Sequence, residues 1–219
     1  MALTKFNFNS FDVTPAASKG LGFNASANGF STIDPGSMTL IKTLTASSSA
    51  TLSFVDGSSD VVLDNTYPTY VFKFINIHPS TAAQLKCNFS VDGGSNYNVT
   101  KTTTSFVAQH LENDTYPTLT YQAVRDLAQS TSDMFISSSL LADNDGNFCG
   151  SMTLFNPSST TFVKHFISRG NSMNTDPGSV DDYFAGYGNT TSAINAVIFK
   201  MSSGNIDAGT IKLYGISDS

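Results

Sequence analysis

The chain has 219 residues, 40 % of them hydrophobic and 13 % charged, with a formal net charge of −6 at pH 7. Its 17 phenylalanines and 8 tyrosines are too many rings to leave solvated, which excludes a disordered chain. The acidic balance, without any run of like charge, excludes a nucleic-acid-binding face, and no stretch reaches the ~18 apolar residues of a membrane-spanning helix.

Residues 1–36 space Phe6, Phe8, Phe11, Phe23 and Phe30 among Asn, Ser, Ala and Gly without a helical period. They are predicted to form an extended N-terminal arm whose phenylalanines anchor it to a partner. The opening MALTKFNFNSFDV lacks the long apolar run of a signal peptide. Asp34-Pro35-Gly36 is a turn signal and marks the boundary with a single domain over 37–219.

From Ser37 the text alternates strand and turn. Strands are expected over Thr39–Thr45, Ala50–Val55 and Thr69–Ile77; the last is apolar on both faces and therefore central. After His78-Pro79-Ser80-Thr81 a strand returns over Ala83–Val91, and two more follow over Tyr97–Thr103 and Phe106–Leu111. Leu119–Ala128 is the one stretch with a helical option, and Ser132–Ser138 is a further short strand. Asn147–Asn156 and Thr160–Arg169 pair through Pro157-Ser158-Ser159, echoing the Thr69–Val91 pair. Asn171–Asp182 is expected as a polar loop leading into Tyr183–Tyr187. The chain closes with a predicted hairpin of Ala193–Met201 and Thr210–Ile216 about a Ser/Gly/Asn turn. Its core face would hold Ile194, Ala196 and Ile198 on one strand, and Ile211, Leu213 and Gly215 on the other. Short strands at regular spacing indicate an all-β chain, an antiparallel β-sandwich of jelly-roll type.

Residues that could carry chemistry are few. Cys87, in step with Leu85 and Phe89, reads as a small buried hydrophobe, and Cys149 as a second free thiol. Asp143-Asn144-Asp145-Gly146-Asn147 has the composition of a calcium loop but places Gly146 at its fourth position, so it reads as a turn. His78, His110 and His165 have no second ligand at metal-site spacing, and His165 alternates with Val163 and Ile167 as a core or interface residue would. Glu112 is the sole glutamate, and no Gly-x-Ser-x-Gly elbow marks a nucleophile. The expectation is no catalytic, cofactor or metal site. Tyr183, Phe184 and Tyr187 beside Asp181 and Asp182 form the one constellation that suits a saccharide, through ring faces and neighbouring carboxylates.

The phrases YVFKFINIHPST, SVDGGSNY, FNPSSTTFVKHFIS, GYGNTTSAINAVIFKMSSG and GNIDAGTIKLYGI follow one another in this order from Tyr70 to the C-terminus. In them the chain resembles marine bacteriophage virion proteins of the cyanophage and pelagiphage kind. The resemblance implies a non-enzymatic structural protein of the virion, assembled in the host bacterial cytoplasm. It would decorate the capsid or belong to the tail or its fibres, in many copies, with other virion proteins and its own copies as partners. The low charge agrees, since the cores of protein–protein contacts are depleted of charge. The alternative is a lectin-like module that binds host surface glycans.

Overall fold

A computed structural model describes residues 20–24, 26, 29–33, 36–174 and 177–217. Among them the chain is all-β, with no helix. The first two strands, β1 (Gly20–Phe23) and β2 (Phe30–Ile33), form a small antiparallel hairpin of their own. Within it the rings of Phe23 and Phe30 stack at 5.2 Å. Of the five expected anchors, these two lie on a hairpin and are exposed. Phe6, Phe8 and Phe11 lie outside the described residues, as does the Asp34-Pro35 boundary.

Thirteen further strands build two larger antiparallel sheets. They are β3 (Met38–Thr45), β4 (Leu52–Val55), β5 (Thr69–Pro79), β6 (Leu85–Ser90), β7 (Lys101–Leu111), β8 (Thr118–Tyr121), β9 (Leu127–Ser130), β10 (Met134–Phe135), β11 (Phe148–Phe155), β12 (Lys164–Met173), β13 (Gly178–Gly188), β14 (Ala196–Met201) and β15 (Ile206–Ile216). The large sheet runs β3-β15-β5-β11-β12-β13-β7-β8, with β9 also on β7; the small one runs β10-β6-β14-β4. The two share one hydrophobic core. Phe199 of β14 meets Phe72 and Phe74 of β5 and Phe54 of β4 edge-on, and Phe89 of β6 meets Phe166 of β12. Edge-to-face contacts of this kind suit the ring quadrupole better than parallel overlap.

Strands β3 to β6, and β11, fall close to their expected positions, and β5 is interior, between β15 and β11. Several expectations are corrected. The stretches Tyr97–Thr103 and Phe106–Leu111 contribute to one strand, β7, whose eleven-residue register with β13 is unbroken. Leu119–Ala128 holds no helix: it is β8, a turn closed by Arg125 N–H to the Gln122 carbonyl, and β9. Both strands pair with β7, so an available edge outweighs a weak local preference. The polar loop of Asn171–Asp182 is instead the end of β12 and the start of β13, paired from Lys164↔Gly188 to Met173↔Ser179.

The echo between Thr69–Val91 and the β11–β12 pair does not hold in space. β11 and β12 are a hairpin, whereas β5 and β6 lie in different sheets. The closing hairpin is corrected likewise: β14 belongs to the small sheet and β15 to the large one. The link Ser202–Asn205, with Gly204 at φ +67°, carries the chain across the ~10 Å between facing sheets. Val197, Phe199 and Met201 face the core, so Ala196 and Ile198 lie on the other face from that expected for them, Ala196 being buried there all the same. Ile211, Leu213 and Gly215 are buried as expected.

Candidate binding face

Strands β12, β13 and β7 continue the large sheet past β11, and strict alternation gives this wing two unlike faces. On β12 the inward residues are Lys164, Phe166, Ser168, Gly170 and Ser172, and His165, Ile167, Arg169 and Asn171 point out. The register then lines up outward residues in rows across the wing. His165 lies beside Tyr187 and Thr102, Ile167 beside Ala185 and Thr104, and Arg169 beside Tyr183 and Phe106, which pairs on to Tyr121.

The middle row is low, because Ala185 has only a methyl group between Ile167 and Thr104. The rows on either side are aromatic. The result is a cleft of about 460 Å³ lined by Phe155, His165, Ile167, Thr104, Ala185 and Tyr187. A smaller cleft of about 180 Å³ continues it toward Phe106 and Tyr183, sharing Thr104, Ile167 and Ala185. Ile167 stands in the middle, 55 % exposed. The lining is apolar and hydroxyl-bearing, which suits an uncharged surface such as a sugar ring or an apolar protein contact.

The five residues expected to bind a saccharide are split by this geometry. Phe184 and Asp182 alternate inward and are buried. Asp181 points out, but Arg169 takes its carboxylate with both Nε (3.1 Å) and NH2 (2.7 Å). That bidentate pair holds the Asp181 pKa below its ordinary value. Tyr183 lies between the Arg169 guanidinium, 4.7 Å from its centroid, and the Phe106 ring, stacked at 4.5 Å and 10°. Both ring faces are thereby occupied. Tyr187 lines the larger cleft, tilted at 54° to His165, and Tyr183 borders the smaller one. Phe155, His165, Ile167 and Thr104 complete the face. The alternation around Phe166 hinted at His165 and Ile167; Phe155 and Thr104 come from strands whose adjacency is long-range.

Beneath the wing, Asp182 is the centre of a buried polar cluster. Its carboxylate accepts from Ser138 N–H (3.0 Å), Ser138 Oγ (2.6 Å) and Ser172 Oγ (2.7 Å), and Arg125 lies at 3.8 Å. Burial nevertheless lifts its pKa above the ordinary carboxylate value. Asp182 therefore fastens the segment at Ser138 to the inner face of the sheet.

Other candidates fall elsewhere. Asp143 to Gly146 form a turn closed by Gly146 N–H to the Asp143 carbonyl, which also bonds the His78 ring at 2.9 Å. No group of three or more His, Cys, Asp or Glu that could hold a metal ion occurs among the described residues. Cys87 is buried, Cys149 is exposed, and both are free thiols.

Protein-family models, curated proteins and solved structures were compared with this chain, and none matches.

Proposed function

We propose that the chain is a non-enzymatic structural protein of a bacteriophage virion, built on a jelly roll and assembled in many copies. The strand order carries this reading. If β3, β4, β5, β6, β10, β11, β14 and β15 are taken as the eight strands of a jelly roll, one sheet is first-eighth-third-sixth and the other second-seventh-fourth-fifth. That is the jelly-roll order, with β7–β9 and β12–β13 as two insertions that join to make the wing. Fold alone does not fix function. The resemblance from Tyr70 onward selects the virion among the uses of this fold. Assembly is supported by the apolar wing and by β3, a sheet-edge strand of eight residues whose only charge is Lys42 and whose Met38 and Leu40 are exposed.

Immunogold labelling of purified particles tests the assignment: labelling at repeated positions on the head or tail is expected. Recovery of the protein only in the infected-cell lysate, and never on particles, would overturn it. The N-terminal segment is the proposed attachment device. A chain lacking Met1–Asp34 should remain folded and fail to join particles; incorporation at the normal copy number would show that the anchor lies elsewhere.

The wing cleft favours a second reading, a module that binds host surface glycans through Tyr187 and His165. A glycan array with the purified chain decides it. Binding that Tyr187→Ala abolishes supports this reading, and a blank array removes it.

A further inference from the structure

Between the small sheet and the root of the wing lies a set of polar groups that neither reading uses. Lys101, the first residue of β7, is wholly buried, and Asn88 of β6 is 1 % exposed. Lys101 Nζ lies 2.6 Å from Asn88 Oδ1 and 2.6 Å from the Val99 carbonyl. The Phe89 N–H donates to the same Oδ1 at 2.8 Å. On the other side of the amide, Asn88 Nδ2 donates to Asp133 Oδ1 (2.9 Å) and to the Thr131 carbonyl (3.1 Å). Two donors face the oxygen and two acceptors face the nitrogen, which fixes the orientation of the amide. Cys87, Phe89, Val99 and Met134 are buried around or beside these groups.

We propose that Lys101 and Asn88 join in an intramolecular isopeptide bond, with Asp133 carrying the proton, so that the two sheets become covalently linked. A buried lysine is ordinarily neutralised by a carboxylate. Here both close partners of Nζ are carbonyl-type oxygens, and Asp133 is engaged by the amide nitrogen and by Lys200 at 2.8 Å. Desolvation accordingly pushes Lys101 down to about 8, so a substantial fraction is neutral near that pH. A neutral amine has two hydrogens and one lone pair. Asn88 Oδ1 and the Val99 carbonyl take the hydrogens, and the lone pair is left on a nitrogen next to the amide it would attack.

The remaining parts of an acyl transfer are present. The Phe89 N–H is placed to stabilise negative charge developing on Oδ1. The Asp133 carboxylate touches the leaving nitrogen. Burial keeps out the water that would compete as nucleophile. In the step, the Nζ–Cγ bond forms and the Cγ–Nδ2 bond breaks. A proton from Nζ passes through Asp133 to Nδ2, which departs as ammonia, while Oδ1 remains the carbonyl oxygen of the new amide. The reaction needs no oxidant and no co-reactant.

Tryptic digestion of the full chain with mass spectrometry tests this directly. Trypsin does not cut after an acylated lysine. The linked protein should yield a Cys87–Arg125 peptide, uncut at Lys101 and lighter by one ammonia. Lys101→Arg, which keeps a long cation but no acylable amine of this kind, should yield the same region at full mass and cut after position 101. Asp133→Asn should leave most of the chain unlinked. Recovery of Cys87–Lys101 at full mass from wild-type protein held at about pH 9, where the amine is mostly neutral, would overturn the proposal. So would ammonia loss with normal cleavage at Lys101, because that marks a succinimide. Linkage in Asp133→Asn as complete and as fast as in wild type would overturn the role of Asp133.

Discussion

Asp182 shows how a residue's surroundings set its role. Its neighbour Asp181 differs by one position and therefore by one face of the sheet. Asp181 binds Arg169 at the surface; Asp182 is wholly buried among Ser138, Ser172 and Arg125. Asp182→Ala leaves Arg125 and the Ser138 N–H without their acceptor, and a loss of about 3 kcal/mol is expected in urea unfolding. Asp181→Ala removes only an exposed pair and should cost under ~1 kcal/mol. The raised pKa of Asp182 gives a pH signature. Between the unfolded value of 3.8 and the raised folded value, the native state binds this proton more tightly than the unfolded chain. The contribution of Asp182 to stability thus falls as pH rises through that window. Asp182→Asn should remove this component from the acid limb of the stability profile, and an unchanged limb would assign the slope to other groups.

At the scale of elements, the wing depends on tight packing between strands. Gly170 on β12 faces inward against Phe148 of β11, and a Cβ there would run into that ring and approach the Cys149 carbonyl at 2.8 Å. The clash is with a buried ring and backbone, neither of which has free space to yield. Gly170→Val is therefore expected to destabilise by about 1–3 kcal/mol through overpacking. Thermal unfolding would register this as a Tm lower by several degrees. Ile167→Ser, on the opposite face of the same strand, should leave Tm nearly unchanged, because Ile167 contributes to the outer cleft rather than the core. Gly209 on β15 has a different requirement. Its φ of +109° and its close approach to the Asn76 carbonyl belong to a register irregularity between β15 and β5.

For the whole molecule, cohesion rests on aromatic rings that cross between the sheets. Phe199 reaches Phe54, Phe72 and Phe74 at 6.2, 5.2 and 5.2 Å, so it touches both layers. Phe199→Ala should cost about 3–5 kcal/mol, by lost transfer energy and the cavity left behind. The urea midpoint should fall with the slope unchanged, since the surface exposed on unfolding is nearly the same. The inner surface of the wing carries Ser105, Ser168, Ser172 and Asp182 beside the buried Phe166, Val180 and Phe184, and Asp182 bonds it to Ser138.

The sequence by itself determined the class of the fold and most of the strands. β-Branched and aromatic runs broken by Ser, Asn, Gly and Pro turns are local signals, and β3, β5 and β11 lie close to where those signals placed them. Tertiary structure decided which strands share a sheet. Ala193–Met201 and Thr210–Ile216 have the local composition of a hairpin, yet β14 pairs with β6 and β4 while β15 pairs with β5 and β3. Hydrogen-bond partners at long sequence separation leave no mark in either strand's own text. The same reason governs the sites. Period-two alternation put Asp181 and Asp182 on opposite faces once Asn171–Asp182 became strand rather than loop. Only the packing of β6, the start of β7 and the chain before β10 brought Asn88, Lys101 and Asp133 together. Each alone reads as an ordinary polar residue near a turn or strand end, and the burial of Asn88 and Lys101 beside the half-buried Asp133 makes the three the proposed reactive set.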